Sequence, residues 1–317
     1  MILRRFILSF ILLAGVAAMA QLDARYSQFM YNKVLLNPAV AGSSGLVKGS
    51  AFNRSQWVSN ETLFQATSAT LDLAVSQNRV GLGFVYESDN NSIVKQQTIG
   101  GVASYALNWW GGFLRFGVQL SVRQAKRDLS DIRIKEEDDV LLLNNITQTN
   151  PDADFGMFYT RENLFVGYSV KHLMRPSLGF SRVSIERYNF FHQVMAGTKV
   201  QVNSAWSIRP SALIKVTRKV TPQIDLITQV DWKQTFWVGV GARSSRELNI
   251  NVGMALHEAI EMIGNPMFLG YSVDFGFNEL YSGNLLTHEI MLVVGFRPRP
   301  SPDQILKNRK SVNPLFF

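Results

Sequence analysis

Residues 113–123 read Phe-Leu-Arg-Phe-Gly-Val-Gln-Leu-Ser-Val-Arg, and apolar side chains alternate with polar or small ones along the stretch. Period two is the periodicity of a β-strand, because successive side chains of a strand point to opposite faces. The apolar face carries Leu114, Phe116, Val118, Leu120 and Val122, and the other face carries Arg115, Gly117, Gln119, Ser121 and Arg123. The stretch therefore predicts a strand that separates an apolar environment from a polar one.

The same alternation recurs in about fourteen segments of the chain. They lie near residues 46–57, 63–75, 79–88, 96–108, 113–126, 152–160, 163–172, 188–202, 205–217, 222–233, 235–244, 246–257, 265–276 and 287–297. Two-faced strands of about 9–11 residues are typical of a transmembrane β-barrel, with lipid outside and a polar lumen inside. We therefore predict an all-β, antiparallel transmembrane barrel of about 14 strands over residues 46–297.

A soluble sandwich of two sheets would also alternate, but its outer face would be richer in Lys and Glu and its strands shorter. Charged residues make up only 18% of this chain and hydrophobic residues 46%. Aromatic residues near the predicted strand ends also suit the interfacial girdles of a barrel. They are Trp57, Tyr86, Trp109, Trp110, Trp206, Trp232, Phe236 and Trp237.

The lengths of the connections predict how the barrel is oriented. Long connections, 127–151 and 173–187, follow the fifth and seventh segments, whereas the turns at 76–78 and 160–162 are tight. Outer-membrane barrels have short periplasmic turns and long extracellular loops. Because the long connections follow odd-numbered segments, we expect both termini to lie in the periplasm.

The first twenty residues have the features of an export signal. Arg4 and Arg5 precede an apolar stretch at 6–20, which ends in Ala18-Met19-Ala20, a small-x-small cleavage pattern. The alternative is a membrane anchor, but 15 residues fall short of the roughly 20 that a spanning helix needs. We expect cleavage after residue 20 and, with it, residence in the outer membrane. Removal of the two arginines lowers the formal charge from +8 to +6.

The sequence contains no recognisable catalytic, cofactor-binding or metal-binding constellation. The absence of cysteine excludes disulfides, thiolate metal sites and a lipoprotein anchor. The four histidines are scattered, and the acidic run at 136–139 lacks the ligand spacing of a calcium loop. The positive charge is explained by predicted lumen residues rather than by binding of nucleic acid. We therefore predict no enzyme, no cofactor and no metal.

Three stretches, two before the first predicted strand and one within it, carry a family resemblance. They are Tyr26-Ser27-Gln28-Phe29-Met30-Tyr31-Asn32 with Leu36-Asn37-Pro38-Ala39-Val40-Ala41-Gly42, and Arg54-Ser55-Gln56-Trp57. They resemble the PorP/SprF family, outer-membrane proteins of the type IX secretion and gliding machinery of the Bacteroidetes, and the likeness continues in order to His288-Glu289. The residues that the resemblance marks as family-motif positions or partner contacts are Tyr26, Gln28, Asn32, Asn37, Pro38, Gly42, Arg54, Gln56 and Trp57.

The resemblance implies a non-enzymatic barrel that supports secretion or surface anchoring of cargo proteins. Its partners would be outer-membrane lipid, secreted cargo or surface adhesins, and the periplasmic and outer-membrane secretion components. Residues 21–45 would form a periplasmic or plug segment, and the basic, proline-rich residues 298–317 a periplasmic tail. The alternatives are a passive porin-like channel for small solutes and, less favoured, an outer-membrane hydrolase with a site at the rim.

Overall fold

The computed structural model describes residues 25–56, 64–75, 78–91, 94–127, 146–177, 187–218, 220–259, 265–277 and 286–296. Several predicted features lie outside these residues. They are the export signal at 1–20, Trp57, the acidic run at 136–139, most of the two long connections and the tail at 298–317.

Fifteen strand segments follow a short N-terminal stretch. They are β1 (Val47–Gln56), β2 (Phe64–Val75), β3 (Val80–Asn91), β4 (Val94–Trp109), β5 (Gly112–Arg127), β6 (Ile146–Arg161), β7 (Leu164–Lys171), β8 (Phe191–Thr198), β9 (Val200–Gln201), β10 (Trp206–Thr217), β11 (Gln223–Trp232), β12 (Phe236–Arg243), β13 (Glu247–Ala255), β14 (Met267–Gly276) and β15 (Leu286–Phe296). The β13–β14 connection contains a single helical turn, Leu256–Ala259.

Segments β8 and β9 are two parts of one strand. Both pair with β10 in the same register, with Gly197 opposite Ser211 and Val200 opposite Ile208. The ladder is interrupted beside Pro210, which has no N–H to donate. The sheet therefore has fourteen strands, an even number, as outer-membrane barrels have.

The sheet closes on itself. Each strand pairs antiparallel with its neighbours in the chain, and β1 pairs with β15, opposing Val47 to Phe296. A closed ring of strands leaves no sheet edge and forms a barrel, not a sandwich. The predicted 14-stranded antiparallel barrel is confirmed.

The distribution of side chains is the reverse of that in a soluble protein. Large apolar side chains point outward and are exposed, for example Leu120 at 63% and Val240 at 62%, while Arg115, Gln229 and Glu289 face inward and are buried. This is the arrangement expected for a wall with lipid outside. One assignment was wrong: Trp237 faces the lumen and is 3% exposed, whereas its neighbour Phe236 points outward.

The two ends of the barrel differ. We call the end with Val47 and Phe296 the turn end, and the opposite end, which carries the connections 128–145 and 172–190, the loop end. Outward-facing aromatic side chains gather at the turn end: Trp109, Trp110, Phe113, Trp206, Trp232 and Phe236. Within the described residues, no helix is long and apolar enough to cross a membrane.

Strand β6 begins at Ile146, six residues before its predicted start. Pro151 lies within this added stretch, and proline cannot complete a ladder on both sides of a strand. Strand β7 pairs only with the portion of β6 between Phe155 and Arg161, so the missing N–H of Pro151 faces a side without a ladder.

Candidate functional site: a lumen filled by the N-terminal segment

The barrel lumen contains the chain's own N-terminal segment. We call residues 26–46 the plug. Nearly all its residues are buried, and its apolar members, including Tyr31, Val34 and Ala39, are at most 7% exposed. Plug residues contact strands spread around the whole ring, from Asp72 of β2 and Gly156 of β6 to Arg209 of β10 and Glu289 of β15. A peptide can reach all these inward side chains only from inside the barrel.

The plug is compact because short helical turns alternate with bends. These turns are Phe29–Tyr31, Lys33–Leu36 and Pro38–Val40. The Oδ1 of Asn37 accepts a hydrogen bond from the backbone N–H of Ala39 at 2.9 Å and so caps the third turn, which Pro38 begins. The Nδ2 of Asn37 donates to the backbone oxygens of Met157 and Tyr168 at 2.9 and 3.2 Å. One side chain thus folds the plug and fastens it to β6 and β7.

Inward-facing glycines make room for the plug. A Cβ at Gly117 would overlap the backbone of Ala39, and a Cβ at Gly156 would overlap the Oδ1 of Asn37. Three further glycines lie against the plug in the same way: Gly81, Gly167 and Gly270. A glycine inside a strand often marks a place where another part of the chain approaches closely, and here that part is the plug.

A charged cluster holds the plug near the loop end. The Glu289 carboxylate accepts the backbone N–H groups of Ser27 at 2.7 Å and Gln28 at 2.9 Å. The guanidinium of Arg54 lies 2.5 Å from Asp274 and 3.3 Å from Glu289, and it donates to the Ser27 hydroxyl at 2.7 Å. Buried charges of this kind are tolerated only when they are paired and hydrogen-bonded. We call Arg54, Asp274 and Glu289 the clamp.

A second set of polar contacts holds the plug near the turn end. The carboxylate of Asp72 accepts the backbone N–H of Gly42 at 2.9 Å and lies 3.7 Å from the ammonium of Lys48. The Ser104 hydroxyl donates to the backbone oxygen of Ala41 at 2.7 Å. Gly42 has φ +69°, in the left-handed region that favours glycine, and a Cβ there would overlap the backbone of Gly81.

Aromatic packing also holds the plug inside the lumen. The ring of Tyr31 lies 5.2 Å from Trp237 of β12, and Tyr26 packs edge-on against Phe52 of β1 at 5.8 Å. The Tyr31 hydroxyl accepts a hydrogen bond from Arg209 at 2.8 Å, and Arg209 also pairs with Asp231. These aromatic contacts explain why Trp237 points inward instead of joining the girdle.

The structure gathers most of the motif residues in one place. Tyr26, Gln28, Asn32, Asn37, Pro38 and Gly42 lie in the plug, and Arg54 is in the clamp. Gln56 is partly exposed at the end of β1, and Trp57 lies outside the described residues. The resemblance reaches His288-Glu289, but from the sequence we did not predict that Asp72, Asp274 and Glu289 contact the N-terminal segment. Their position on the polar face of alternating strands was the available signal.

One group of side chains has the composition of a metal site. Asp152, Asp154 and His172 are buried, and their potential ligand atoms lie within 4.8 Å of one another. The Nδ1 of His172 is 2.6 Å from Asp152, its backbone N–H donates to Asp154 at 3.0 Å, and the ammonium of Lys171 offsets the charge of Asp154. The potential ligand atoms are thus already hydrogen-bonded or paired with neighbouring side chains. The spacing of 18–20 residues concealed the group, which the β6–β7 hairpin brings together.

Comparisons with known proteins agree with the barrel. The sequence model of one family, described as Type IX secretion system membrane protein PorP/SprF, matches residues 18–294. The structure is similar to that of the CymD monoaromatic hydrocarbon channel, with a TM-score of 0.51 and 11% identity over 85% of this chain and 92% of that one. It also resembles a Pseudomonas aeruginosa FadL homologue, with a TM-score of 0.49 and 11% identity over 84% and 94%. At this identity the likeness concerns the fold alone. No curated protein sequence matches the chain.

Proposed function

Because the chain belongs to the PorP/SprF family of type IX secretion system membrane proteins, we propose that it supports the secretion or surface anchoring of cargo proteins. In this proposal it is a non-enzymatic component that resides in the outer membrane. The observation that carries the proposal is the filled lumen: the plug packs against strands all around the ring and leaves its residues buried. A barrel closed in this way acts through its outer surfaces and rims.

The plug argues against the rival function, a passive channel for small solutes. Diffusion through a barrel needs a continuous aqueous path, as in porins, whose lumen is water-filled. Here polar contacts fix the plug near both ends, and the ring of Tyr31 packs on the inward-facing Trp237. Removing the plug would cost the hydrogen bonds of the clamp and expose an apolar core to water.

The rims are the surfaces left for partners. At the loop end, an antiparallel bridge between Ser177 and Arg187 draws together the ends of the β7–β8 connection. Beside it, Tyr188 packs on His172 at 4.5 Å and donates a hydrogen bond to Gln96 at 2.8 Å. In this proposal the connection between Ser177 and Arg187 is a contact surface for cargo. At the turn end, β15 stops at Phe296, and the basic tail that follows would meet periplasmic components of the machinery.

Genetic complementation tests the proposal. In a strain without the gene, the full chain should restore secretion and surface retention of cargo. A variant in which a short Gly-Ser turn replaces residues 178–186 keeps the bridge between Ser177 and Arg187, so we expect a normal amount of folded barrel with impaired cargo retention. A variant with residues 178–186 in scrambled order controls for loop length. Normal secretion and retention in the strain without the gene would overturn the proposal.

A further inference from the structure

The plug runs between the two ends of the barrel. Its last residues lie at the turn end, where Gly45 packs against Asn78 in the β2–β3 turn and the chain enters β1 at Val47. Its first residues, Ser27 and Gln28, bind the clamp. Each clamp residue lies within four positions of the loop end of its strand. Residues 27–45 therefore cover most of the distance between the two rims.

The described residues begin at the loop end, where Arg25 is more exposed than the plug residues that follow it. The guanidinium of Arg25 lies 3.8 Å from Glu247, the first residue of β13 at the loop end. The side chain of Arg25 is 29% exposed, whereas Ser27 is only 4% exposed. The cavity beside Ser27 and Phe29 measures about 20 Å³, which is room for about one water molecule. The plug residues that follow, from Ser27 to Gly42, are buried in the lumen, so a chain that turned back at Arg25 would have to displace them.

We propose that the N-terminal segment threads the lumen from end to end, so that the mature N-terminus leaves the barrel at the loop end. The end of β15 at Phe296 lies at the turn end, beside Val47, so the two termini would face opposite sides of the membrane. This replaces the expectation from the sequence that both termini are periplasmic. With the short turns in the periplasm, the N-terminus is displayed at the cell surface.

Threading requires that the export signal be removed. The apolar stretch at 6–20 could not remain in water above the loop end without a large cost in apolar exposure. After cleavage only four residues, 21–24, precede Arg25, and they would join the long connections at the same rim. A partner that binds the loop end would then meet the N-terminus of the barrel as well. This topology does not depend on which proteins are secreted.

The absence of cysteine makes the test direct, because single cysteine variants report on one position each. The test variant is Asp23→Cys. The matched controls are Thr221→Cys, exposed in the β10–β11 connection at the loop end, and Asn163→Cys, exposed in the β6–β7 turn at the turn end. Each variant is treated with a membrane-impermeant maleimide, first in intact cells and then after the outer membrane is permeabilised.

We expect Asp23→Cys to be labelled in the same step as Thr221→Cys, with at least tenfold more label at that step than Asn163→Cys. Resistance of the barrel to protease confirms folding, and Leu22→Cys provides a second position if Asp23→Cys fails to fold. Labelling of Asp23→Cys together with Asn163→Cys would overturn the proposal. Labelling at neither step would also overturn it, since the N-terminus would then be enclosed.

Discussion

The carboxylate of Glu289, in the last strand of the barrel, accepts a hydrogen bond at 2.7 Å from the backbone N–H of Ser27, which lies 262 positions earlier in the chain. The same carboxylate accepts the N–H of Gln28 and faces Arg54. One acid thus joins the plug, the first strand and the last strand where the barrel closes. Because β1 and β15 form the closing pair, the plug is tied to the seam of the ring.

Replacement of this acid should loosen both the plug and the seam. In Glu289→Gln the amide can accept only through one oxygen and no longer carries the charge that faces Arg54. Hydrogen bonds to charged groups contribute about 1.5–3 kcal/mol, and Arg54 keeps its pairing with Asp274. We expect a loss of about 2 kcal/mol in unfolding free energy, measured by denaturant unfolding in detergent.

The control for this substitution is Glu258→Gln. The carboxylate of Glu258 is 53% exposed and faces His257 at 3.5 Å, and exposed pairs contribute little to stability. Equal stability losses in Glu289→Gln and Glu258→Gln would show that the clamp does not hold the plug.

Because inward-facing glycines contact the plug, an added methyl group should destabilise the barrel on its inner face more than on its outer face. In Gly156→Ala the new methyl group would overlap the Oδ1 of Asn37, so the plug must shift or β6 must distort. Overpacking of this kind typically costs about 1–3 kcal/mol. Gly101→Ala is the matched control, because no atom lies within 4 Å of a Cβ there. We expect Gly156→Ala to lower the thermal midpoint and Gly101→Ala to leave it almost unchanged. A larger decrease in Gly101→Ala than in Gly156→Ala would contradict the contact between Gly156 and the plug.

The hydroxyl of Tyr31 should stabilise the packing of the plug against the barrel wall. Tyr31→Phe keeps the ring against Trp237 but removes the acceptor for Arg209, and Arg209 retains Asp231. We expect a loss of about 1 kcal/mol in unfolding free energy. Tyr159→Phe is a suitable comparison, because its exposed hydroxyl donates to the backbone oxygen of Trp110. If Tyr159→Phe costs as much as Tyr31→Phe, then burial in the lumen adds nothing to the hydrogen bond.

The group of Asp152, Asp154 and His172 should be structural and free of metal. Its donors are paired with one another, so binding of a cation would have to break the contact between His172 and Asp152. We expect that neither excess Zn²⁺ nor a chelator moves the thermal midpoint, whereas Asp152→Asn lowers it. A ligand present at 100 times its Kd stabilises a protein by about 2.7 kcal/mol. If Zn²⁺ instead raised the thermal midpoint by an amount that corresponds to this free energy, and Asp152→Asn abolished the increase, the group would be a metal site.

The strands could be predicted from the sequence because lipid imposes a local rule. Most outward positions that face the hydrocarbon must be apolar, so Leu120 and its alternating neighbours reveal the phase of β5 without knowledge of any partner. The path of the plug follows no such rule. Its contacts join Asn37 to Tyr168 and Ser27 to Glu289, far apart in the chain, and no periodicity links them.

The errors have the same origin. Trp237 looked like a girdle residue because its position near a strand end is visible in the sequence, whereas Tyr31, the ring it packs on, comes from the plug. The start of β6 was predicted six residues too late, and the sequence does not show that β7 stops pairing at Phe155 and so leaves room for Pro151. The family motif located the important residues 26–42 and Arg54, but only the closed barrel shows that they meet inside the lumen.

The most direct test of the account is the conductance of the purified full chain in planar lipid bilayers, beside a variant that lacks residues 26–42. If the plug closes the lumen, the full chain should show no steady conductance, and the shortened barrel, if it folds, should show discrete open channels. A steady, ohmic conductance from the folded full chain would contradict the closed lumen and would favour a channel for small solutes.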